Sequence, residues 1–540
     1  MTPQETPTPS GTVETSHTPE ASGRKARPHG FLGWIEWLGN KLPNPFWLFA
    51  ILGGLVLVIS WLGSLAGWSA SDPQSGDPVE VTNLLTTDGL HQIVTGVVTN
   101  YTDFPPLGVI ITVMLGVAVA EYAGLISALV RAMVAKTGPK TLTFAVALAG
   151  VTGSVASDAV YVIVIPLGAM AFHAIGRSPI VGAMVAFVAS SGGFNSSLVL
   201  NITDVLLSGL STSAAQIVDP DYVVNPLANY FFVMASAVVL AVIITLLTEL
   251  FMNRRIHQLV DHDHVNYDEV AFTDEDGNET TDLTLKEAEV RGLRITGLVS
   301  LVGLAVYFAL LFVSGSPLQG EGGSVMDSPL ITDIAVPIAL GFFLLGTVYG
   351  VAVGSVTSAS DIPEFMVRGL KTLLPMMVLF FAVSQFLAWF QWSNLGQFLS
   401  IKGSELLQTW DLPPVVLFTG FLVMVCLLNM MITSGSAQWA LMAPVVVPMM
   451  MYVGISPEVT QMLFRIGDST TNIITPMSPY FALAFSFLSR YYRKAGLGTL
   501  LSMSIPYSMA MLVGWFLFFL AWWALGIPLG PGAPMEYPAN

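Results

Sequence analysis

The chain has 540 residues, of which 53% are hydrophobic and only 10% are charged, and its mean hydropathy is +0.69. This composition excludes a typical soluble protein and indicates a polytopic membrane protein. The formal net charge of −16 comes largely from acidic loops and favours no particular partner. The single cysteine, Cys426, excludes an intramolecular disulfide.

The chain begins with a polar segment that is typical of disorder. Residues 1–33 are rich in Thr, Pro, Ser and Glu and contain no apolar stretch, so we expect a disordered cytoplasmic tail. No apolar region follows the N-terminus, which argues against a secretory signal peptide. Residues 34–66 are predicted to form an interfacial segment, with Trp34 and Trp37, and then the first transmembrane helix.

Apolar runs bounded by charged or turn residues predict nine transmembrane helices. These lie near residues 46–66, 106–133, 179–200, 226–252, 295–315, 334–353, 373–393, 459–488 and 497–527. Two further apolar runs, 141–175 and 414–455, are each too long for one untilted helix of about 20 residues. Because small polar residues interrupt both runs near the middle, each is predicted to be a re-entrant hairpin.

The distribution of Lys and Arg supports these hairpins and sets the orientation. The chain has 20 such residues, and with two hairpins all but Lys402 (outside) and Arg465 (within the membrane) face the cytoplasm. If 141–175 crossed the membrane once, all later loops would invert and this asymmetry would be lost. We therefore expect the N-terminus in the cytoplasm and the outer tail, 528–540, outside. Lys and Arg do not occur in the outer segments 67–105, 201–225 and 316–333.

One block of residues occurs twice, at a spacing of 278 positions. This offset places Tyr161 on Trp439, and it aligns Pro166 with Pro444 and Ser178-Pro179 with Ser456-Pro457. After the Ser-Pro pair, each copy has a polar break inside an apolar helix. Such breaks are costly in a bilayer unless they line a cavity, and two matched breaks point to the binding site of a secondary transporter.

The predicted fold is an all-α polytopic membrane protein with nine transmembrane helices, two re-entrant hairpins and two broken helices in inverted-topology repeats. The repeats start on opposite sides of the membrane, which suits alternating access around one site. The predicted units are repeat 1 at 106–252, with hairpin 141–175 and broken helix 179–200; a cytoplasmic segment at 256–290; connecting helices at 295–353; and repeat 2 at 373–527, with hairpin 414–455 and broken helix 459–488.

Two opposite charges lie close together in the second broken helix. Arg465 and Asp468 are three residues apart and therefore share one helix face. A charge at the bilayer centre costs roughly 2.5–3.5 kcal/mol on insertion scales, so such residues either face a polar cavity or form a structural ion pair between helices. In a cavity, Arg465 would bind a substrate carboxylate with its forked donors, and Asp468 would help to bind Na⁺ or a proton.

The two breaks and the two hairpin tips carry oxygen ligands. Unwound backbone carbonyls, together with Asn, Ser and Asp oxygens, are typical of Na⁺ sites in transporters. The alternative is that these small residues only pack helices against one another. The candidate Na⁺ ligands are Gly153, Ser190, Asn195, Gly435, Asp468 and Asn472.

Several motifs resemble the AbgT family, the p-aminobenzoyl-glutamate transporters, over nearly the whole chain. They are GGFNSSL at 192–198 with TDVLLSG at 203–209, SGSAQWA at 434–440 and FRIGDSTTNIITP at 464–476. The resemblance implies a homodimer in a bacterial inner membrane, each protomer having a scaffold part and a mobile part that bears the hairpins. It also implies transport of p-aminobenzoyl-glutamate inward, or export of p-aminobenzoate and sulfonamides, coupled to Na⁺ or protons without another cofactor.

The same resemblance implies that Ser436 and Trp439 line the substrate site, where the indole would stack on an aminobenzoyl ring. The alternative is that Trp439, one of twelve tryptophans, is an ordinary packing or interfacial residue. Asn195 and Asp468 are further candidates for contact with the substrate. Pro457, between hairpin and helix, is a further substrate-site candidate that would act as a hinge or simply end an element. Asp204 would line the path or cap the next segment.

Other functions are less well supported. No phosphate-binding loop is present, which argues against ATP-driven transport. No histidine lies near a hairpin tip, so an intramembrane hydrolase, a remote alternative, would lack its base. Re-entrant hairpins also build channel filters, so a channel or uniporter remains the main alternative. Nothing indicates a nucleic-acid partner. Glu121 is predicted to make a buried polar contact in the scaffold rather than to reach the site.

Overall fold

The computed structural model describes residues 43–538, apart from 74–75, 136, 157–158, 261–263, 271, 274–278, 281–284, 321–322, 326–327 and 411. The predicted tail, the interfacial part of 34–66 and parts of the segment 256–290 lie outside the described residues, so the expectations for them stay predictions.

The described chain is mostly helical. Its first part contains α1 (Pro45–Leu65), β1 (Ser69–Ser71), β2 (Pro78–Glu80), α2 (Thr87–Thr102), α3 (Pro105–Tyr122), α4 (Leu125–Ala135), α5 (Leu142–Thr152), α6 (Ala159–Ala174), α7 (Pro179–Phe187), α8 (Ile202–Ala215), α9 (Tyr230–Leu247) and α10 (Asn253–Leu259). A 3₁₀ turn at Gly153–Ala156 follows α5, and π turns at Val188–Gly192 and Thr248–Met252 extend α7 and α9.

The second part contains β3 (Phe272–Thr273), β4 (Glu279–Thr280), α11 (Glu287–Phe312), α12 (Pro329–Thr332), α13 (Ala335–Val353), α14 (Asp361–Trp392), α15 (Leu395–Trp410), α16 (Pro414–Asn429), α17 (Gly435–Tyr452), α18 (Pro457–Asn472), α19 (Pro479–Tyr491) and α20 (Leu497–Ala524). The strands form two antiparallel pairs, β1 with β2 and β3 with β4; Ser69 lies opposite Glu80 in the first pair, and Phe272 lies opposite Thr280 in the second.

Seven helical segments of the described residues are long and apolar enough to cross a membrane. They overlap seven of the nine predicted spans, and the other two predictions, 179–200 and 459–488, fall on helices with breaks. The seven are Pro45–Leu65, Thr87–Tyr122, Tyr230–Leu259, Glu287–Phe312, Ala335–Val353, Asp361–Trp392 and Leu497–Ala524.

The first broken helix is longer than predicted. The range 179–200 ends inside the break, and α8 continues the element through residues that we expected to form an outer loop. The sequence of α8 is rich in Ser and Thr and therefore does not read as an apolar run, although ten of its fourteen residues are buried. In the second broken helix, α18 and α19 match the predicted range 459–488 closely.

Three other elements differ from the prediction. The span 106–133 is divided into α3 and α4 at Gly124, whose φ of +88° favours glycine. The helix predicted at 373–393 begins at Asp361, and α15 follows it. The amphipathic helix α2 lies in the segment 67–105, where no helix was predicted. Short or amphipathic helices carry no long apolar run, which is why hydropathy does not reveal them.

Both apolar runs that were predicted to be hairpins fold back on themselves. Arg177, just after α6, donates from Nη1 to Oγ1 of Thr143 at the start of α5, over 3.0 Å. Gln408, shortly before α16, donates from Nε2 to the carbonyl oxygen of Tyr452 at the end of α17, over 3.4 Å. In each pair the chain therefore returns to the end of the molecule from which it started.

The two hairpins start from opposite ends of the molecule. The base of the first lies at the end of α9, where Arg177 forms a 2.8 Å ion pair with Glu249. The base of the second leads into α18 beside the start of α9, where Asn229 donates to the carbonyl oxygen of Glu458 over 3.0 Å. We call these the Arg177 end and the Glu458 end. Helix α9 with its π turn separates them by about 30 Å.

The repeat seen in the sequence is also visible in the elements, with one irregularity. The offset of 278 holds from the hairpins to the start of α7 and α18, at Pro179 and Pro457. After the π turn it becomes 277, since α8 starts at Ile202 and α19 at Pro479. A π turn contains one residue more than the α-helical turn it replaces, and this accounts for the change.

Small residues set the packing of the remaining helices around the site. A Cβ atom on Gly116 of α3 would lie 2.0 Å from the carbonyl oxygen of Ala339 in α13, and one on Gly346 of α13 would lie 2.5 Å from the amide nitrogen of Ala120. Such close helix crossings through glycine are typical of membrane proteins. Helix α14 packs on α1 and α3, so α1, α3, α13 and α14 form a unit beside the hairpins.

Candidate functional site

A cavity of about 460 Å³ lies where the second hairpin tip, the start of α6 and the two helix breaks meet α3 and α14. Its walls are mainly apolar, with a few polar groups at the tips and breaks. From the predicted site it includes Asn195, Gly435, Ser436, Asp468 and Asn472. The structure therefore brings together residues from both repeats that are up to 277 positions apart in the sequence.

A direct contact joins the two breaks. The side-chain amide of Asn195 donates to Oδ2 of Asp468 over 2.7 Å, and the backbone N–H of Asn195 donates to Oγ of Ser469 over 3.0 Å. Asn195 lies in the irregular segment after the first π turn, whereas Asp468 and Ser469 lie near the end of α18. All three are buried, so the two repeats are joined at this point away from bulk water.

Asn429, at the end of α16, completes this junction and was not predicted. Its amide donates to the carbonyl oxygen of Asp468 over 2.7 Å and to Oδ1 of Asn472 over 3.0 Å. A single Asn in an otherwise apolar helix just before a hairpin tip is the signal that would have identified it, because such residues in membrane helices usually have polar partners.

The junction contains three buried acceptor oxygens that have no hydrogen-bond partner among the described residues. They are Oδ1 of Asn195, Oδ1 of Asn429 and Oδ1 of Asp468. A buried polar atom without a partner is costly, and a group of oxygens with one carboxylate is a donor set that suits a hard cation or a proton. The serine and threonine hydroxyls nearby are mostly bonded to the helix backbone.

Gly435 brings the second hairpin tip against this carboxylate. A Cβ atom at this position would lie 2.9 Å from Oδ2 and 3.1 Å from Oδ1 of Asp468. Any larger residue would therefore displace either the tip or the carboxylate. Ser436 follows on the cavity wall, and its hydroxyl lies 3.2 Å from that of Ser434.

Arg465 forms a buried ion pair with Asp204 and not with Asp468. Both partners are at most 2% exposed, and neither lines the cavity. Asp204 also caps α8, because its Oδ2 accepts the backbone N–H of Asn201 over 2.8 Å. Of the two interpretations of Arg465, this geometry favours the structural ion pair between helices, and it gives Asp204 the capping role.

Trp439 is fully buried behind the cavity wall. Its Nε1 donates to Oγ of Ser211 in α8 over 3.0 Å, and its ring packs on Phe464 with centroids 4.6 Å apart. In this conformation the indole is therefore covered by protein on the side of the Glu458 end. The stacking of a substrate ring on Trp439 stays a prediction that requires a different conformation.

The remaining predicted ligands lie away from the cavity. The hydroxyl of Ser190 donates to the carbonyl oxygen of Ala186 in its own helix over 2.8 Å. Gly153 starts the 3₁₀ turn at the first tip, and Pro457 is the first residue of α18 at the Glu458 end. Asp158, an acidic residue near the first tip, lies outside the described residues.

Several aromatic and acidic residues on the cavity wall were not predicted there. Tyr161 of α6 and Tyr480 of α19 stack with centroids 4.2 Å apart and an interplanar angle of 14°. Glu121 and Tyr122, at the end of α3, also line the cavity, so Glu121 reaches the site rather than only a scaffold contact. The alignment of Tyr161 with Trp439 was the available signal for the first pair.

The sequence profile of the AbgT family of transporters matches residues 30–537. The chain belongs to the AbgT family. Members of this family are transporters and not enzymes, which removes the hydrolase alternative. As an AbgT protein it is a multi-pass membrane transporter, in agreement with the predicted class.

Individual AbgT proteins are similar to the chain over nearly its full length. It is 37% identical over 502 residues to the p-aminobenzoyl-glutamate transport protein of Escherichia coli K12, covering 93% of this chain and 96% of that one. The crystal structure of the Alcanivorax borkumensis YdaH transporter is 38% identical and has a TM-score of 0.82; the match covers 91% of this chain and all of YdaH.

The structure of Neisseria gonorrhoeae MtrF is similar to the same extent. It is 39% identical and has a TM-score of 0.85, with coverage of 94% of this chain and all of MtrF. MtrF is described as representing a class of antimetabolite efflux pumps, and YdaH as having an unusual topology. The fold described above is thus shared with two solved AbgT structures.

Proposed function

We propose that the chain is an ion-coupled secondary transporter of p-aminobenzoyl-glutamate or related aryl anions such as p-aminobenzoate and sulfonamides. The names of its E. coli and N. gonorrhoeae relatives support this substrate class. A cavity of about 460 Å³ with tyrosine rings and a few polar groups is of the size and character that bind small aromatic ligands.

The coupling ion is Na⁺ or a proton bound at the junction of the two repeats. The observation that carries this proposal is the set of three partnerless oxygens at the junction, one of which is Oδ1 of the buried carboxylate of Asp468. A cation bound there would give Oδ1 of Asp468 a partner and neutralise the carboxylate. Because Gly435 of the second hairpin tip lies against the same carboxylate, ion binding would also hold the hairpin closed.

The two hairpins are re-entrant in the membrane, and the repeats are inverted. The two hairpins start from opposite ends of α9, and this supports the proposed topology. The Arg177 end faces the cytoplasm in this proposal, since Arg254, Arg255 and Arg490 lie there while Lys402 lies towards the other end. A bacterial inner membrane and a homodimer complete the proposal on the basis of the family resemblance.

A carrier fits the cavity better than a channel. The described cavity wall reaches Leu207 of α8 but not Ser211 or Trp439, which are buried on the side of the Glu458 end. A carrier has a site that is open to one side at a time, whereas a channel needs a continuous path.

Uptake of radiolabelled p-aminobenzoyl-glutamate and p-aminobenzoate into proteoliposomes, with Na⁺ or pH gradients imposed in each direction, tests the proposal. We expect saturable flux that follows one gradient and is lost in Asp468→Ala. Flux that ignores both gradients would support a uniporter or channel instead. No flux of either compound would refute the substrate class and leave the fold unaffected.

A further inference from the structure

Each hairpin carries one aromatic residue at the same repeat position, and each of these residues contacts the opposite repeat. Trp439 of the second hairpin donates to Ser211 in α8 of the first repeat, over 3.0 Å. Tyr161 of the first hairpin stacks on Tyr480 in α19 of the second repeat, with centroids 4.2 Å apart. The two contacts are thus related by the inverted repeat, one on the side of each end.

The two related contacts do not lie at equivalent positions along their helices. Helices α8 and α19 correspond at an offset of 277, so the counterpart of Ser211 is Leu488. Trp439 reaches the tenth residue of α8, whereas Tyr161 reaches only the second residue of α19. The two contacts therefore differ by about two helical turns in their position along the equivalent helices.

Burial shows the same asymmetry. Helix α8 buries ten of its fourteen residues, whereas α19 buries four of its thirteen. Helix α8 packs along α3 so closely that a Cβ atom on Gly209 would lie 2.9 Å from Cα of Pro106. The cavity lies on the other side, beside Tyr480 and Tyr122. The structure is closed towards the Glu458 end and looser towards the Arg177 end.

A chain of hydrogen bonds with defined donors holds the closed side together. Nε1 of Trp439 donates to Oγ of Ser211, and this hydroxyl donates to Oε1 of Gln461 in α18 over 2.6 Å. Nε2 of Gln461 donates to Oδ1 of Asn229, the residue before α9, over 2.8 Å. These four side chains are at most 2% exposed. The indole N–H can only donate, so Ser211 fixes both its position and its orientation.

The hydrogen-bonded chain continues from Asn229, which donates to the carbonyl oxygen of Glu458, and it ends at Tyr222, a neutral donor at the Glu458 end. The hydroxyl of Tyr222 donates to Oε2 of Glu458 over 2.9 Å. Burial, and then the neighbouring Glu458 carboxylate, raises the pKa of Tyr222 well above its usual range, so this hydroxyl keeps its proton. The closed side is therefore joined from Trp439 to the surface by polar contacts between both repeats.

We propose that Ser211 is a positioning residue whose hydrogen bond to Trp439 latches the gate at the Glu458 end, and that this bond breaks when the site opens to that end. The latch rests on the proposed transport function, in which the site alternates between the two ends. When it opens, Trp439 leaves α8 and its ring becomes available to an aromatic substrate in the cavity.

Thiol labelling tests the latch independently of transport. In a Cys426→Ala background, Thr203→Cys on the cavity wall reports access of a membrane-impermeant reagent from either side of sealed vesicles. We expect labelling mainly from one side, and a gain from the opposite side in Ser211→Ala, which loses its hydrogen bonds to both Trp439 and Gln461. Trp439→Phe keeps an aromatic ring and loses one buried hydrogen bond, so it should produce a gain of roughly three- to tenfold, and adding it to Ser211→Ala should produce no further gain.

Ser213→Ala is the matched control, because Ser213 lies on the same helix and its hydroxyl donates to the carbonyl oxygen of Gly209 over 3.0 Å. Labelling of Ser211→Ala and Trp439→Phe that equals this control would overturn the latch. Should Ser211→Ala fail to fold, Trp439→Phe alone decides the question. Absence of uptake by the unmodified chain would count against the proposed function and leave the labelling result valid.

Discussion

The buried carboxylate of Asp468 is the residue on which the energetics of the site depend. Its Oδ2 accepts the amide of Asn195 at 2.7 Å, while its Oδ1 has no hydrogen-bond partner in the described chain. Arg465, one turn earlier, is already paired with Asp204. A buried charge without a full set of partners costs several kcal/mol, so a bound cation or proton would stabilise this junction.

Asp468→Asn should remove ion binding while preserving the size of the side chain. We expect the unmodified protein to gain thermal stability when the coupling ion is added, by about 2.7 kcal/mol at 100 times its dissociation constant, and the variant to gain none. Thermal unfolding of the purified protein in detergent with Na⁺ or K⁺, at several pH values, measures this.

Ser190→Ala is a suitable control for this measurement. Its hydroxyl bonds to its own helix, so removal should leave the ion response intact. A Na⁺ response that disappears in Ser190→Ala and persists in Asp468→Asn would contradict our placement of the site and return it to the first break.

The ion pair of Arg465 with Asp204 should contribute to stability rather than to substrate binding. Arg465→Met or Asp204→Asn alone leaves one buried charge unpaired and should cost about 3–5 kcal/mol in the free energy of unfolding. The double variant should recover part of this loss and should still transport substrate. Unfolding in denaturant, combined with uptake, measures both effects.

The exposed pair of Arg368 and Glu364 is the comparison for this cycle. Its side chains are 51% and 59% exposed, so Arg368→Met and Glu364→Gln should each change stability by no more than about 1 kcal/mol. A stable double variant of the buried pair that has lost substrate affinity would instead restore the substrate-binding interpretation of Arg465.

Among the elements, those with long apolar runs could be predicted from the sequence, and those that depend on tertiary burial could not. The seven long apolar segments and the division of 141–175 and 414–455 follow from hydropathy and from small polar interruptions. Helix α8 escaped prediction because its Ser and Thr residues interrupt the apolar run; most of their hydroxyls bond to carbonyl oxygens of α8 itself, and Ser211 bonds to Gln461 of α18. The sequence shows that Asn195 and Asn429 are polar residues in apolar surroundings. It does not show that the side-chain amides of both residues donate to Asp468, which becomes visible only in the fold.

Gly435→Ala should weaken ion coupling by displacing the second hairpin tip. The added Cβ would lie 2.9 Å from Oδ2 of Asp468, closer than van der Waals contact permits. We expect the ion concentration for half-maximal uptake to rise about tenfold or more, with little change in expression. Gly420→Ala in α16, where nothing lies within 4 Å, should leave it unchanged. Equal responses of the two variants would show that the tip does not need to approach the carboxylate.

Across the whole molecule, the starts of the two hairpins at opposite ends of α9 define two faces. The Arg177 end carries Arg254 and Arg255 just after α9 and Arg490 near the end of α19, as expected for a cytoplasmic face. The Glu458 end gathers Asp219, Glu458 and Tyr537, which contact one another through Tyr222 and the C-terminal segment.

The orientation predicts opposite labelling of two lysine positions. In a Cys426→Ala background, Lys402→Cys should react with an impermeant thiol reagent on intact cells, whereas Lys494→Cys should react only after permeabilisation. Each substitution replaces one exposed lysine, which lies on the surface of α15 in the case of Lys402 and in the loop before α20 in the case of Lys494. The reverse pattern would invert the topology, and labelling of both on intact cells would contradict the hairpins.

The π turn at Val188–Gly192 adds one residue to the first broken helix and has no equivalent in the second. One residue turns a helix by about 100°, so everything after the insertion faces a different direction from its counterpart. After this rotation the side-chain amide of Asn195 donates to Oδ2 of Asp468. The counterpart of Asn195 in the second repeat is Asn472, whose Oδ1 instead accepts a hydrogen bond from Asn429. The two halves share one plan but are not interchangeable parts. A molecule built from two copies of the second half would keep an asparagine at this position but would lack the π turn before it, so duplication alone does not produce this arrangement.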